Sequence, residues 1–410
     1  MASGNERIVL AYSGGLDTSV CLKWLSLRGY DVIAMLADVG QGDSMTVARK
    51  RALAAGASKV CILDLKREFV RDYAFRALRA HAVYEGKYLL ATALSRPLIA
   101  AKLVDVAHRE GATAIAHGCT GKGNDQVRFE VTVAALDPSL NIIAPVREWE
   151  LKSREEEIEY ARQHRIPIEV TKRSPYSIDQ NLWGTSIECG VLEDPWTEPP
   201  AETYRSIRAP ERAPRQPLYV EIGFTHGVPT HLNGRRFDGV RLVQRLHELG
   251  ARYGVGRSDL IEDRLIGIKS REVYEAPAAA MLYEAHAELE RLVLDRELLQ
   301  MKEQLSLKYA QLIYYGLWFT RVRQALDSFI EETQCHVTGT IRVKLTAGRC
   351  VAVGRRSPHA LYRQTLATYG AGDAFRQDWA EGFIRLWGLP YQGQGKPAAS
   401  SQQPAASKRR

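Results

Sequence analysis

Ser13-Gly14-Gly15-Leu16-Asp17-Thr18-Ser19 is the first stretch whose residue types could do chemistry. It follows an apolar run, Arg7–Tyr12, that reads as a strand, and precedes Val20–Arg28, which reads as an amphipathic helix. A strand delivering Ser-Gly-Gly into a helix start gathers free backbone N–H groups around one point, at the positive end of the helix. The glycines allow close approach. Ser13, Thr18 and Ser19 add hydroxyl donors, so the loop suits a polyphosphate. The Gly-Lys-[Ser/Thr] ending of a Walker A loop is absent; a capped strand-to-helix turn is the plain alternative. A second string, Ala116-His117-Gly118-Cys119-Thr120-Gly121-Lys122-Gly123-Asn124-Asp125-Gln126-Val127-Arg128-Phe129-Glu130, opens a helix that Asn124 or Asp125 could cap. Asn124 and Arg128 stand four apart and share a helix face. Amide and guanidinium donors beside a carboxylate suit a zwitterionic amino acid.

The elements that position these residues are legible from periodicity. Strands are predicted at Arg7–Tyr12, Asp31–Leu36, Lys59–Asp64, Thr113–Ala116 and Asn141–Ala144, separated by helical segments such as the one carrying Ile99, Leu103, Val106 and Ala107. That alternation predicts an α/β, Rossmann-like parallel sheet over residues 1–170. Ser153 with Glu156 forms a capping box for a helix reaching about His164, and Glu155–Glu157 reads as its solvated first turn. The proline-rich stretch 195–217 predicts an irregular connection. A strand at Pro217–Phe224, a turn at Asn233-Gly234, a helix at Val240–Tyr253, helical texture over 276–332 and a hairpin around Ala347-Gly348 follow, giving an α+β domain over 171–390. Residues 391–410, Gln/Pro/Ala/Ser-rich and basic, are expected to be disordered.

A chain of 410 residues suggests two or three domains, and 45% hydrophobic with 25% charged residues excludes a disordered or fibrous protein. No apolar stretch approaches the roughly 20 residues of a membrane span, and no signal peptide is read at the start. Six scattered cysteines without a Cys-x-x-Cys pair suit reduced thiols in the cytoplasm. The net charge is +8, but Lys396, Lys408, Arg409 and Arg410 supply half of it, so no nucleic-acid surface is read from it.

The first loop resembles the pyrophosphate-binding loop of N-type ATP pyrophosphatases, which cleave ATP between its α- and β-phosphates. With the second string the chain resembles the argininosuccinate synthase family over roughly residues 7–390. Tyr88-Leu89-Leu90-Ala91-Thr92 with Arg96-Pro97, Ser177-Ile178-Asp179-Gln180-Asn181-Leu182, Glu262-Asp263-Arg264 and the run from Gly267 to Pro277 carry the likeness further. The resemblance implies a nucleotide-binding domain followed by a synthetase domain, joining citrulline to aspartate with release of AMP and diphosphate. It implies ATP binding by Ala11, Tyr12, Ser13, Gly14, Gly15, Leu16, Asp17, Thr18 and Ser19, with Ala37 and Gly118 at the adenosine part. Citrulline would meet Tyr88, Asn124, Arg128, Ser177, Ser186, Glu262 and Tyr274; aspartate would meet Thr120, Asn124 and Asp125.

Asp17 and Asp125 are the candidate catalytic carboxylates, Asp125 as a seat for the incoming ammonium and an aid to its deprotonation. Mg²⁺ would arrive with ATP rather than in a protein cage. The resemblance further implies a homotetramer, with no nucleic-acid or membrane partner. Each residue has a plainer reading: packing for Tyr88 and Tyr274, backbone capping in a turn-rich stretch for Ser177 and Ser186, and pairing with Arg264 for Glu262. Ala93 stands where the family commonly has a hydroxyl, a contact Thr92 could take. Cys119 replaces a small apolar residue, and after Trp387 the chain is expected to pass quickly into disorder, where family members often continue as a long helix. A tRNA-thiolating enzyme using Cys119 and Cys189 is the rival enzyme reading; a binding module holding ATP without turnover is the other.

Overall fold

The computed structural model describes residues 6–167 and 175–395. The boundary expected near residue 170 and the basic tail beyond residue 395 lie outside the described residues. The chain forms two compact units, 1–361 and 362–410.

The first unit opens with β1 (Arg7–Ala11), α1 (Leu16–Leu27), β2 (Asp31–Asp38), α2 (Met45–Ala55), β3 (Lys59–Asp64), α3 (Ala91–Glu110), β4 (Ala114–Ala116), α4 (Asp125–Leu136), β5 (Asn141–Ile143) and α5 (Arg154–Gln163). All five strands pair in parallel, in the order β3-β2-β1-β4-β5. Strands covered on both sides become continuous apolar runs rather than alternating ones; Ile8, Val9 and Leu10 are fully buried. Ile8, Leu10 and Ala34 pack toward α1, α2 and α5, whereas Val9, Ile33 and Met35 pack toward α3 and α4. The five strands agree with the periodicity to within two residues. The first helix differs, beginning at Leu16 rather than Val20, because Leu16 already packs into the core.

Strand order reverses between β1 and β4. The loops leaving the carboxyl ends of these two neighbours diverge to opposite faces, which opens the crevice where such sheets bind ligands. Both chemistry-bearing strings occupy these two loops.

Further along lie β6 (Ser177–Gln180), β7 (Thr185–Glu188), β8 (Leu218–Thr225), β9 (Val228–Leu232), β10 (Arg235–Arg236), α6 (Gly239–Arg252), β11 (Arg257–Asp263), β12 (Lys269–Glu275), α7 (Pro277–Val293), α8 (Arg296–Tyr314), α9 (Arg321–Thr333), β13 (Gly339–Thr346) and β14 (Arg349–Arg356). They form two antiparallel sheets, β10-β9-β8-β13-β14 and β11-β12-β7-β6. The second was hidden in sequence. Ser177 and Ser186, expected in a turn-rich stretch, lie on paired strands, held by an Asn181 side chain that accepts the Trp183 N–H (2.8 Å) and donates to the Ala91 carbonyl (2.8 Å). The connection over 195–217 contains short 3₁₀ turns and no strand, as its prolines indicate. In the second unit, described to residue 395, the longest helix is α10 (Asp378–Gly388).

One buried ion pair cross-links α7 to α8. Lys302 is 1% exposed, its Nζ 3.0 Å from Glu290, which also accepts from Gln334 (2.6 Å). Removing one partner strands the other charge in a dry interior, at a cost of about 3–5 kcal/mol. Lys302→Met is therefore expected to lose about that much in denaturant unfolding, with substrate Michaelis constants unchanged; a loss under about 1 kcal/mol would contradict it.

Candidate functional site

Local chain geometry shapes the first loop. Gly14 has φ +85°, and a Cβ there would stand 3.0 Å from the Ala48 Cβ on α2. Ser13 Oγ is 3.0 Å from Thr18 Oγ1 and accepts the Gly15 N–H (3.3 Å), so two hydroxyls brace the turn. Ser19 departs from expectation. It is fully buried, donating to the Gly15 carbonyl (2.7 Å) and bonded to Tyr12 Oη (2.8 Å), so its hydroxyl faces the interior. Tyr12 and Leu16 are buried as well. The side chains of Tyr12, Leu16 and Ser19 therefore face the interior, and the Ser19 N–H is taken by the Gly15 carbonyl (3.1 Å). Ala11 and Ala37 sit near the carboxyl ends of neighbouring strands, where Tyr12 N–H bonds the Met35 carbonyl (3.0 Å).

The second loop meets the first at Gly118. A Cβ on Gly118 would lie 3.2 Å from Thr18 Cγ2 and 3.4 Å from Cys21 Sγ, so the two loops approach closely there. Gln126 pins this loop by donating to the Gly121 carbonyl (2.6 Å), and Thr120 remains exposed on it. Neither Asn124 nor Asp125 caps the helix. Asn124 donates to Tyr314 Oη (2.8 Å) and accepts the Leu265 N–H (2.9 Å), because the second half of the unit crosses over the loop and competes for its amide. The shared face of Asn124 and Arg128 is confirmed by a common neighbour: Arg128 donates to the Tyr314 carbonyl (3.0 Å) and lies 4.8 Å from its ring centroid.

Asp125 is clamped by Arg96 Nε (2.8 Å) and Arg128 Nη1 (2.9 Å); Arg96 also pairs with Asp179. Burial alone would raise the Asp125 carboxyl, but the two guanidiniums outweigh it and hold it below the usual carboxylate range. That suits a seat for an ammonium and argues against a proton acceptor.

The floor of the site is one face of the second antiparallel sheet. Directly opposed residues share a face, and the register sets Tyr274 opposite Ser186 and Ser186 opposite Asp179. Ser177 opposes Glu188 and Glu262 opposes Ser270. Strand period two adds Glu272, two residues before Tyr274. Glu262, 1% exposed, accepts from Tyr274 Oη and Tyr314 Oη, each at 2.5 Å. It does not pair with Arg264, which reaches Glu188 and Glu272 (3.3 Å) instead. Tyr88 stacks on Tyr274 at 4.1 Å, and its hydroxyl accepts the N–H groups of Thr92 (3.1 Å) and Ala93 (3.3 Å), capping α3. Thr92 Oγ1 bonds Ser186 Oγ (2.8 Å), so Thr92 supplies a hydroxyl where Ala93 has none.

Glu157 corrects the reading of the acidic run. Glu155 and Glu156 are exposed, but Glu157 is half-buried against α1, and burial together with the adjacent Asp17 carboxylate pushes it up to about 8. Sequence reasoning also missed Arg96, Asp179, Glu188, Glu272 and Tyr314. Arg96 and Asp179 stood inside segments that carried the resemblance; Tyr314 carried no signal.

This fold and site define a HUP-type nucleotide-binding enzyme with an antiparallel-sheet domain closing over its crevice. Residues 7–167 match the family model described as the Arginosuccinate synthase N-terminal HUP domain, and 176–393 match the corresponding C-terminal domain. The chain is similar to the argininosuccinate synthase of Bacillus thuringiensis, 55% identical over 385 residues (94% of this chain, 96% of the relative). It is similar also to that of Carboxydothermus hydrogenoformans, 54% identical over 400 residues (97% and 99%). The chain belongs to the argininosuccinate synthase family. A solved 4-thiouridine synthetase–RNA complex with bound ATP is 18% identical and covers 39% of this chain and 40% of its own, at a TM-score of 0.29, which carries no argument.

Forcing a side chain into the φ +85° turn at Gly14 costs about 1–2 kcal/mol before its contact with Ala48 is counted. Gly14→Ala is expected to weaken ATP binding roughly tenfold in equilibrium titration; unchanged affinity would show that the turn is not the phosphate seat.

Proposed function

We propose that the crevice joins citrulline to aspartate at the expense of ATP, forming citrullyl-AMP and then argininosuccinate, AMP and diphosphate. The chain is a ligase of the argininosuccinate synthase family. The observation that supports the residue assignments is the hydrogen-bonded line Asn124–Tyr314–Glu262, which joins the sheet face to the loops at the β1/β4 switch.

In this reading the main chain over Ala11–Ser19 cradles the phosphates, and Ala37 and Gly118 line the adenosine part. Tyr88, Asn124, Arg128, Ser177, Ser186, Glu262 and Tyr274 hold citrulline; Thr120, Asn124 and Asp125 hold aspartate. A ureido oxygen is a poor leaving group, so it first attacks the α-phosphorus and diphosphate departs. The aspartate ammonium loses a proton to solvent, the freed amine attacks the activated carbon, and AMP leaves with the former ureido oxygen. No side chain serves as nucleophile; fixing the reactants in geometry can supply roughly 7–11 kcal/mol. Asp125, kept ionised by Arg96 and Arg128, seats the aspartate ammonium. Deprotonation by Asp125, one of the sequence expectations, is not supported by that environment.

Asp17 and Glu157 fit Mg²⁺. The two carboxyl groups are neighbours beside the loop, and a hard divalent cation prefers such oxygens together with phosphate and water. Among the described residues no group of three or more His, Cys, Asp or Glu side chains is placed to hold a metal ion, so the pair would be a partial shell. Mg²⁺ bound there would neutralise charge on the departing diphosphate.

Burial pushes up both the Cys119 and Cys189 thiols, which disfavours a thiolate-based thiolating enzyme. Among the described residues no helix is long and apolar enough to cross a membrane. A homotetramer is supported by α10, whose Trp379, Phe383, Ile384 and Trp387 are exposed in the single chain.

Steady-state diphosphate release is expected to require citrulline and aspartate together, with at most one equivalent per site released when aspartate alone is omitted; release without citrulline, or sustained turnover without aspartate, would refute the reading. Asp125→Asn is expected to lower kcat/KM for aspartate roughly thirtyfold, from about 2 kcal/mol lost with a charged hydrogen-bond partner, while the KM for ATP changes little. Unchanged use of aspartate in steady-state kinetics would remove Asp125 from the site.

A further inference from the structure

Three oxygen–oxygen contacts at the sheet face have only two phenol protons between them. Tyr314 Oη lies 2.5 Å from Glu262 Oε1, Tyr274 Oη lies 2.5 Å from Glu262 Oε2, and the same Tyr274 Oη lies 2.9 Å from Glu272 Oε2. Each phenol carries one proton. Tyr314 receives an N–H from Asn124 and so has its own proton to give Glu262. Tyr274 makes the shorter contact to Glu262, which leaves its contact to Glu272 without a hydrogen unless the carboxyl supplies one. Resting on the substrate assignment above, the geometry points to Glu272 as a proton-holding partner of the citrulline site: it is protonated while the site is empty, and the arriving α-ammonium of citrulline displaces that proton to solvent.

The surroundings agree with the hydrogen count. Glu188 on β7 and Glu262 on β11 put negative charge beside Glu272, Arg264 beyond β11 puts positive charge 3.3 Å away, and Tyr274 on its own strand is a neutral donor. Tyr314 from α8 bonds Glu262, and Tyr88 stacks on Tyr274. Burial with the Glu262 and Glu188 charges outweighs Arg264 and pushes Glu272 up to about 8. An ammonium entering between Glu262 and Glu272 reverses that balance, because a cation favours the charged form of both. The step is a plain exchange: the Glu272 O–H bond breaks, the proton goes to buffer, and the ammonium keeps its three N–H bonds, donating to the two carboxylates. An uncharged or N-acylated analogue offers nothing to trade for the proton, so the arrangement also selects for a free α-amino group.

The sign follows directly. Below about 8 the proton must be removed before the ammonium is held, so citrulline affinity rises with pH, approaching tenfold per unit between 6 and 7.5, and levels off above about 8. The test is isothermal titration of citrulline into the full chain saturated with a non-hydrolysable ATP analogue, in PIPES and in Tris, whose ionisation enthalpies differ. At pH 7 the wild-type protein is expected to release about 0.9 proton per citrulline, as a group titrating near 8 requires. Glu272→Gln, which can still bond Tyr274, is expected to release close to none and to lose the pH dependence. Should that variant not fold, the wild-type pH series decides alone. Citrulline that binds with no proton release and a flat pH profile overturns the proposal while leaving the functional reading intact. Citrulline that fails to bind overturns both.

Discussion

The structure depends on the close approach of two loops. At Gly118 the loop leaving β4 rests on Thr18 and Cys21, in the loop and helix leaving β1, with 3.2 Å between an imagined Cβ and Thr18. Interiors are close-packed, so a methyl group there would have to displace the Thr18 side chain by a few tenths of an ångström. Their closeness lets the ends of two adjacent parallel strands act as one surface, with main-chain donors of the first turn beside the polar side chains that open α4. Strand order makes this possible, since the chain reverses between β1 and β4 and leaves the crevice open.

A second constraint is electrostatic. The site gathers Asp125, Asp179, Glu188, Glu262 and Glu272 with Arg96, Arg128 and Arg264 in a partly dry space. Buried charges persist only when paired and hydrogen-bonded. Here each carboxylate is answered by a guanidinium or a phenol, and the pairs are shared rather than exclusive: Arg96 serves two carboxylates, Arg264 two, and Glu262 takes two phenols. Such sharing lets a zwitterion enter by exchanging partners, its ammonium and carboxylate replacing contacts the side chains already make with one another. A site of isolated charges would first have to be stripped of water.

Much of the first half was legible in sequence because parallel strands buried on both faces announce themselves as apolar runs, and because Ser13–Ser19 and Gly118–Arg128 are local strings. Their geometry involves residues a few positions apart. The sheet β11-β12-β7-β6 was opaque for the opposite reason. Its partners come from Ser177, Ser186, Glu262, Tyr274 and, on a distant helix, Tyr314, and only the register of β11, β12, β7 and β6 puts them on one face. Periodicity assigns a residue to a face of its own strand but is silent on which strand lies alongside. Ser19 and Glu157 were misread in the same way: a hydroxyl in a phosphate loop and a glutamate in a helix's first turn look solvent-facing until their neighbours, Tyr12 and Asp17, are known.

A crystal structure of the full chain with a non-hydrolysable ATP analogue and citrulline tests the central claim most directly. The account expects the phosphates on the main-chain amides of the Ser13–Thr18 turn, and the ureido oxygen about 3–3.5 Å from the α-phosphorus, as a near-attack arrangement requires. Phosphates seated away from Gly14 and Gly15, or a ureido group turned from the α-phosphorus with both ligands bound, would contradict it.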